Sequence, residues 1–316
     1  EWLLHDALEQ GYRVGILANS DGHKGRPGAS YPGASLFGAY GGLSCVLARE
    51  LTRPAIMDAL RRRHHYASTG CRMVLDVRAR FDGPAERFEN DPQLGPTRAF
   101  AVREAIMGDI VRSDREITLT VEALGSAPIE RLEIRNRLET LETVRPFAKA
   151  ELGSRIHVIW EGSEYRGRGR QTVWDGEARL TGNGFARVAP VNFHNLDKKL
   201  TRHDAGRVSW QALTTGGFGG FDAWLDDADS GTLAIDTALV KAEIPVASIG
   251  LDDLVFATEG GISRRIRVFR LPDENTSRHV KLERRIKPTR GRDDALYVCV
   301  TQEDGHLIWS SPIYVI

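Results

Sequence analysis

The fold of this chain is decided by the stretch Met73–Phe81, which reads MVLDVRARF. Every second residue of the stretch, starting from the methionine, is apolar, and three of the four residues in between are charged. Successive side chains of a β-strand point to opposite faces of the sheet. The stretch therefore predicts a strand with one face in a core and the other face in solvent.

Similar alternation recurs through the rest of the chain, in short stretches that turn residues separate. Many short strands of this kind are typical of an antiparallel β-sandwich, so we expect a mainly β chain in which residues 71–316 form a sandwich domain. The turn Glu303–His306 is expected to be a hairpin between the final two strands. The other predicted strands are 116–123, 131–136, 155–160, 184–188, 210–214, 231–235, 265–270, 296–301 and 308–315.

Residues 1–70 have a different pattern, in which helices and strands alternate as they do at the end of an α/β unit. The chain starts inside a helical pattern and without a methionine, so we expect it to be the C-terminal portion of a longer protein. A loop rich in Gly, Pro and Ser is too long for a simple connector and is expected to be functional. The predicted elements are a helix over 1–10 that ends at Gly11, a strand over 12–18, the loop over 19–42, a strand over 43–48, and a helix that Thr52 caps, that includes Arg61–Arg63 and that ends over 66–70.

The composition is that of an ordinary globular protein, with 316 residues, 41% of them hydrophobic and 27% charged. Lys and Arg balance Asp and Glu at 43 each, so charge gives no reason to expect nucleic acid or an anionic membrane as a partner. No apolar run approaches the roughly 20 residues that span a bilayer. The 3 cysteines are far apart and odd in number, which argues against a disulfide framework. The compartment, cytoplasmic or secreted, stays open because the N-terminus is expected to be missing.

The loop begins with the stretch Asn19–Gly28, which reads NSDGHKGRPG and follows the predicted strand over 12–18. Its Asp21 and His23 are two residues apart, and such positions point to the same side of an extended backbone. A carboxylate oxygen beside an imidazole nitrogen suits Zn, Mn or Fe. The pattern favours a divalent metal site with Asp21 and His23 as ligands, and the alternative is an aspartate in a turn beside a surface histidine.

Two basic residues follow the predicted ligands. Lys24 and Arg26 are candidates for binding a phosphate or carboxylate group, the arginine through both arms of its guanidinium. The alternative is that both are solvated charges of a loop. The sequence contains no Gly-x-Ser-x-Gly elbow, so it gives no support to a serine hydrolase.

These stretches, taken in order, resemble one known family. The loop NSDGHKGRPG is similar to the late Asp-x-His metal-ligand motif of the PHP (polymerase and histidinol phosphatase) metal-dependent phosphoesterases, and more specifically to the DUF3604 group. The resemblance covers residues 1–125 and 295–316, and the middle of the chain is a weaker match. The landmarks that carry it are Gly41–Ser44, Ala48–Arg53, Ala59–Arg63, Tyr66–Gly70, Met107–Gly108, Tyr297–Gly305 and Trp309–Ile313.

The resemblance implies a metal-dependent hydrolase, a phosphoesterase, in which residues 1–70 are the last α/β segment of a distorted (β/α)7 barrel. Asp21 and His23 would carry over as metal ligands, and a phosphorylated small molecule would be the substrate. PHP proteins open with a His-x-His strand, which this chain lacks. The remaining ligands would lie in a missing N-terminal part, so the metal site would be incomplete here and the fragment alone inactive. A second copy of the chain is a possible partner.

Two other functions stay open beside the hydrolase. One is a non-catalytic β-sandwich module that binds another molecule, for instance a carbohydrate, for which the aromatic residues of Gly216–Trp224 are candidates. The other is a degenerate PHP relative with a structural role. His64 and His65 are expected to pack against or cap a helix end, and Tyr165–Arg170 is expected to be an exposed hairpin loop rather than a nucleic-acid site.

Overall fold

The structure is a computed structural model, and it describes residues 2–20, 22, 41–165, 170–193, 195, 197–289 and 291–316. Two α-helices and 24 strands are found in these residues. In chain order they are α1 (Trp2–Glu9), β1 (Leu43–Val46), α2 (Arg53–Arg61), β2 (His65–Ser68), β3 (Val74–Phe88), β4 (Ala99–Ile106), β5 (Ile110–Arg112), β6 (Ile117–Leu124), β7 (Ile129–Asn136), β8 (Glu139–Val144), β9 (Arg155–Ser163), β10 (Thr172–Val173), β11 (Gly176–Thr181), β12 (Phe185–Val191), β13 (Leu200–Arg202), β14 (Arg207–Trp210), β15 (Leu213–Thr214), β16 (Phe218–Leu225), β17 (Thr232–Thr237), β18 (Lys241–Pro245), β19 (Leu254–Ala257), β20 (Ile262–Arg270), β21 (His279–Ile286), β22 (Asp294–Gln302), β23 (Leu307–Ser310) and β24 (Ile313–Val315).

The prediction of a mainly β chain is confirmed. Contacts divide the chain into two compact units, of which the first consists of Glu1–Pro146 and Ser277–Ile316, and the second of Phe147–Thr276. Within the described part of the chain, helices are too few for the strand-helix alternation of a barrel. The predicted boundary between residues 70 and 71 stays a prediction.

The first unit is built on one sheet of 12 strands. Its main path runs β1-β2-β23-β22-β24-β5-β3-β6-β21, with β4 added to β3, β7 to β22 and β8 to β7. Neighbouring strands are antiparallel, apart from the parallel pair of β24 and β5. The predicted hairpin between the last strands is confirmed, because β22 and β23 pair across the turn at Gly305, which has φ +84°.

The core of the first unit confirms the alternation of the stretch 73–81. Leu75, Val77, Ala79 and Phe81 are buried, whereas Val74 is 57% exposed. The same apolar cluster contains buried residues of β6, β7, β22, β23 and β24, so these strands share one core with β3. A smaller cluster holds α1 through Leu8, together with aromatic residues of β3, β22 and β24.

The two helices end and begin as the sequence predicts. Gly11 has φ +79°, and the amides of Gly11 and Tyr12 donate to Leu8 and Ala7, which is the Schellman ending of α1. The Thr52 hydroxyl accepts from the amide of Ala55 at 3.4 Å and so caps α2, with a proline in its first turn.

Two predicted elements of residues 1–70 need correction. The α2 helix ends at Arg61, and the residues expected to finish it form β2, which pairs with β1 and β23. The segment 12–18 is extended but belongs to no sheet among the described residues. Its backbone groups bond to side chains instead, because no neighbouring strand lies beside it.

The second unit is a sandwich of two five-stranded antiparallel sheets with a small two-stranded sheet, β10-β15. One large sheet runs β13-β14-β11-β17-β18 and the other runs β12-β16-β9-β20-β19. One apolar cluster contains buried residues from both sheets, including Trp160 of β9, which stacks on Trp210 of β14 with 5.0 Å between ring centroids. Gly216–Trp224, a candidate sugar site by sequence, is mostly strand β16 of this sandwich.

Candidate functional site

The four site residues that the sequence predicts lie outside the described residues. These are the metal ligands Asp21 and His23 and the anion-binding candidates Lys24 and Arg26. The structure therefore does not test whether these four residues lie close together. What it does describe are the two ends of the loop that contains them and the surface that holds those ends.

The two ends of this loop meet. The Ser44 hydroxyl donates to the carbonyl of Ala18 at 2.9 Å and accepts from the amide of the same residue at 3.0 Å. Gly42 lies so close that an added Cβ would be 2.7 Å from the Ala18 Cβ and 3.1 Å from the Asn19 backbone nitrogen. The described residues at the two ends of the loop, Ala18 and Asn19 on one side and Gly42 and Ser44 on the other, thus lie beside each other.

The segment that leads into the loop is fixed to the first unit by three side chains. The Tyr314 hydroxyl donates to the carbonyl of Val14 at 2.6 Å. The Ser311 hydroxyl accepts from the amide of Ile16 at 3.0 Å, and the His65 Nδ1 lies 3.0 Å from the carbonyl oxygen of Ile16. These residues come from β2, from β24 and from the connection between β23 and β24, so the sheet positions the segment without pairing with it.

A buried arginine holds the start of the same segment. Arg13 binds Asp91 through Nη1 at 2.5 Å and Asp293 through Nη2 at 2.6 Å. The Arg13 and Asp91 side chains are 6% and 7% exposed, so this ion pair is almost free of solvent screening. Burial lowers the pKa of the Arg13 guanidinium, but Asp293 and Asp91 more than offset this and raise the pKa above its ordinary value.

A tight turn after α2 presents the two histidines. Arg63 has φ +61°, its Nε donates to the carbonyl of Gly108 at 3.0 Å, and burial lowers the pKa of its guanidinium. Gly108 has φ +93° and approaches so closely that an added Cβ would overlap with the Arg63 backbone. His64 Nε2 lies 3.0 Å from Asp109 Oδ1, and Asp109 also accepts from the Ile106 amide at 2.9 Å. Of the two histidines expected to pack against or cap a helix end, His64 follows α2 in this turn, whereas His65 belongs to β2.

His65 is 3% exposed, and its Nδ1 lies 3.1 Å from the Ser311 hydroxyl as well as near the Ile16 carbonyl of the segment. Burial lowers the pKa of His65, and the charges of Arg63 and His64 lower it further, although the bond to Ile16 opposes them. Ser311 is fully buried and its oxygen already accepts from the Ile16 amide. The pair therefore serves as an attachment, and its geometry is not that of a serine nucleophile with a base.

Metal ligation cannot be assigned to these attachments. Among the described residues, no group of three or more His, Cys, Asp or Glu side chains is placed to hold a metal ion. The 3 cysteines are free thiols. Any metal held at this end of the unit would need ligands from outside the described residues.

A second feature of the first unit is an open groove of about 1510 Å³. It lies beside β3, β4 and β5 and the connection from β21 to β22. Both acidic and basic side chains line the groove. Two of them form an ion pair with each other, since Arg112 Nη1 donates to Glu86 Oε2 at 2.7 Å. The charged side chains that line it are Glu86, Arg112, Asp114, Glu116, Lys287, Arg292 and Asp293.

The second unit contains a buried polar network on strands β9 and β16. Asp222 accepts from Arg155 Nη2 at 2.8 Å and binds His157 Nδ1, its direct neighbour in the strand register. Burial alone would raise the pKa of Asp222, but the charges and hydrogen bonds of His157 and Arg155 lower it below the ordinary value. Arg155 and Arg187 lie over the ring of Trp224, at 5.0 and 4.2 Å from its centroid.

Comparison with known families gives one match. The family model described as "Protein of unknown function (DUF3604)" matches residues 30–134. The match supports the resemblance of this chain to the DUF3604 family. The DUF3604 segment includes Ser44, Arg63, His65 and Asp109, and so contains much of the attachment surface. No curated protein and no solved structure matches the chain. No helix of the described residues is long and apolar enough to span a membrane.

The sequence analysis missed the residues that hold the loop. Arg13, Tyr314 and Ser311 are distant in sequence from one another, and nothing in their surroundings marks them as partners. Two of the sequence stretches that carry the family resemblance do contain residues of this surface. Ala59–Arg63 and Met107–Gly108 meet at the close approach of Gly108 to Arg63.

Proposed function

We propose that this chain carries part of the active site of a PHP-like metal-dependent hydrolase that acts on phosphoesters. Asp21 and His23 are two of its metal ligands, and residues 1–70 are the end of the catalytic barrel. The other ligands come from outside this chain. The metal is Zn, Mn or Fe, which suits one carboxylate oxygen and one imidazole nitrogen.

One observation carries the proposal: the loop with the Asp-x-His motif has both ends fixed at one place. The Ala18–Ser44 bonds and the contact of Gly42 with Asn19 close the loop. The His65, Ser311 and Tyr314 attachments fix the approach to it. A ligand pair needs such support, because metal sites depend on residues whose backbone is already positioned.

The residues of the loop divide the chemistry. Asp21 and His23 would hold the ion, which when bound would supply a nucleophile near neutral pH. Lys24 and Arg26 bind the non-bridging oxygens of the phosphoryl group, the arginine through a bidentate contact. Neither basic residue carries a proton to the reaction in this scheme.

The test is metal binding by the whole gene product, measured by calorimetry with Mn²⁺ and Zn²⁺, for wild type, Asp21→Asn and His23→Gln. We expect each substitution to weaken binding by at least about tenfold, since loss of a partner that only orients a ligand already costs about 10–100-fold. The matched controls are Asp114→Asn and His279→Gln, which change exposed residues of the same kinds. Equal affinities in wild type and both loop variants would remove the proposed site. Hydrolysis of p-nitrophenyl phosphate by the whole gene product, with the same substitutions, then tests the reaction.

A non-catalytic binding module is the second candidate, and the groove of the first unit favours it. Sugar hydroxyls donate to carboxylates and accept from guanidinium groups, so a lining of mixed charge suits a neutral carbohydrate. Binding of the chain to a glycan array, lost in Arg112→Ala and unchanged in Asp21→Asn, would support the module. Binding to no glycan on the array would count against it.

A further inference from the structure

We propose that the segment 12–18 is a pairing edge for a second copy of this chain, and that two copies join by antiparallel pairing of this segment about a two-fold axis at Gly15. The pairing itself holds whether or not the loop binds a metal. Its functional meaning rests on the proposed function, because the segment leads directly into the stretch that contains Asp21 and His23.

One edge of the segment is bonded to the first unit. Val14, Ile16 and Ala18 each bond to side chains of this unit through one or both of their backbone groups. In an extended chain, the N–H and C=O of one residue point to the same edge, and those of the next residue point to the opposite edge. Contacts at every second residue therefore mean that the even-numbered residues face the body of the first unit.

The other edge presents the backbone groups of the odd-numbered residues. No hydrogen bond of the backbone groups of Arg13, Gly15 or Leu17 is found within the described part of the chain. The Arg13 side chain is only 6% exposed although the residue as a whole is partly exposed, so its exposed area belongs to the backbone. Gly15, which has no side chain, is partly exposed as well, and Leu17 is 49% exposed. The backbone of the segment is therefore open to solvent.

The free edge lacks the features by which proteins keep strand edges from pairing. Such edges usually carry lysine, proline or a bulge. The edge strands β18 and β21 follow this rule, since β18 ends in Pro245 and the exposed Lys281 lies in β21. The segment 12–18 contains no proline, and its one charged residue, Arg13, is neutralised by two aspartates. An extended strand can therefore pair here without meeting a free charge.

The spacing of the free groups fits a second copy. When two copies pair antiparallel about an axis at Gly15, this glycine lies opposite itself and Arg13 lies opposite Leu17. Each of these residues offers one N–H and one C=O to the same edge, so every pair exchanges both hydrogen bonds and none of the groups is left over. The contact uses the same patch on both copies, as a two-fold dimer requires.

The register also gives the pairing a place in the candidate site. Tyr12, which is 60% exposed, would lie opposite Ala18 of the other copy, where the loop begins. Each copy thus brings a phenol ring to the base of the loop that contains Asp21 and His23 of the other copy. The two loops leave the paired segments at opposite ends, so each copy keeps its own loop.

The contact is small, so the dimer should be weak. A stable protein interface involves about 20–30 residues on each side, and the segment supplies far fewer. We therefore expect a dissociation constant in the micromolar range, with monomer and dimer both present at ordinary working concentrations.

Sedimentation velocity of the full chain at increasing concentration tests the pairing. We expect wild type to pass from monomer to dimer in the micromolar range. Leu17→Pro removes one N–H donor of the free edge from each copy, and Leu17→Lys places a charge there, so each should raise the dissociation constant by about tenfold or more. The matched control is Leu124→Lys on β6, which also changes a leucine that is 49% exposed and should leave dimerisation unchanged.

Hydrogen exchange of wild type, resolved to single amides by nuclear magnetic resonance, does not depend on a variant that folds. The amides of Arg13, Gly15 and Leu17 should exchange more slowly as the concentration rises, whereas the Ile16 amide, which is bonded to Ser311, should not change. A chain that stays monomeric up to millimolar concentration, or a dimer that both Leu17 variants leave intact, would overturn the proposal. So would protection of these three amides in the monomer, because another segment of the polypeptide would then occupy the edge.

Discussion

The two units use buried charge in different ways. In the first unit, Arg13 joins Asp91 and Asp293 and fastens an extended segment that pairs with no strand among the described residues. In the second unit, Asp222 joins His157 and Arg155 across two strands that are already paired by their backbones. The network of the first unit determines where the segment 12–18 lies. The network of the second unit only adds to the pairing of β9 and β16, whose register the backbone hydrogen bonds already fix.

This difference teaches where single substitutions should matter most. A strand in a ladder keeps its place when one side chain is lost, because its neighbours are bonded through the backbone. A segment held by side chains loses a whole attachment with one substitution. The following predictions measure the contrast, in order of decreasing effect.

The largest effect is expected for Arg13→Ala. It leaves Asp91, which is 7% exposed, as a buried charge without its main partner, and this should lower the free energy of unfolding of the first unit by about 3–5 kcal/mol. The matched control is Arg112→Ala, whose side chain is 59% exposed and which should cost no more than about 1 kcal/mol. Hydrogen exchange of β3 and β22 measures both values. Equal losses in the two variants would mean that burial of the Arg13 pair is unimportant.

Gly108→Ala should come next, at about 3 kcal/mol, because it adds a positive-φ alanine and an overlap with the Arg63 backbone. Gly11→Ala shares the positive φ but has no atom within 4 Å of the added Cβ, so it should cost only about 1 kcal/mol. Urea unfolding of the two variants separates the overlap from the backbone strain. A Gly108→Ala no less stable than Gly11→Ala would contradict the close approach.

In the second unit, Asp222→Asn should cost about 2 kcal/mol at pH 7, because it weakens charged hydrogen bonds but leaves the strands paired. His157 and Arg155 lower the pKa of Asp222, so its contribution is present above the unfolded pKa of about 3.9 and is lost as the pH falls through the lower folded value. The difference between wild type and Asp222→Asn should therefore vanish in acid. Urea unfolding from pH 7 to pH 2 checks this, and a difference that is independent of pH would be inconsistent with an ionised Asp222.

The smallest effect is expected for Ser44→Ala, which removes both bonds to Ala18 at an exposed position and should cost about 1 kcal/mol or less. Its effect on hydrogen exchange near Ala18 should be larger than its effect on the free energy of unfolding of the whole unit. We expect exchange of the Ala18 amide to speed up while that of β22 stays unchanged. Ser113→Ala, which removes a hydroxyl bond at another exposed turn, is the control for Ala18.

Much of the fold follows from local pattern. The strand over 73–81, the Gly11 helix end, the Thr52 cap and the final hairpin depend on residues close in sequence, and the structure confirms all four. The separate core of residues 147–276 was not predicted, because alternation marks strands without saying which of them share a core. The strand at 65–68 was also missed, since its four residues are all buried and do not alternate.

The site was less predictable for a physical reason. The motif residues are visible in the sequence because they are two positions apart. Their supports are not, because Ile16 and Ser311, or Arg13 and Asp293, are brought together only by the sheet. A bond between a side chain and a distant backbone group leaves no periodicity in either stretch.

The order in which the chain is synthesised has a consequence for the first unit. β22 pairs with β7, β23 and β24 and lies at the centre of the 12-stranded sheet, yet it begins only at Asp294. The second unit is continuous, so it can fold as soon as residues 147–276 have left the ribosome. Until β22, β23 and β24 have been synthesised, the apolar faces of β3 and β6 lack the residues of these strands that complete their core. During that interval this part of the nascent chain is the natural target for a chaperone that binds exposed apolar strands.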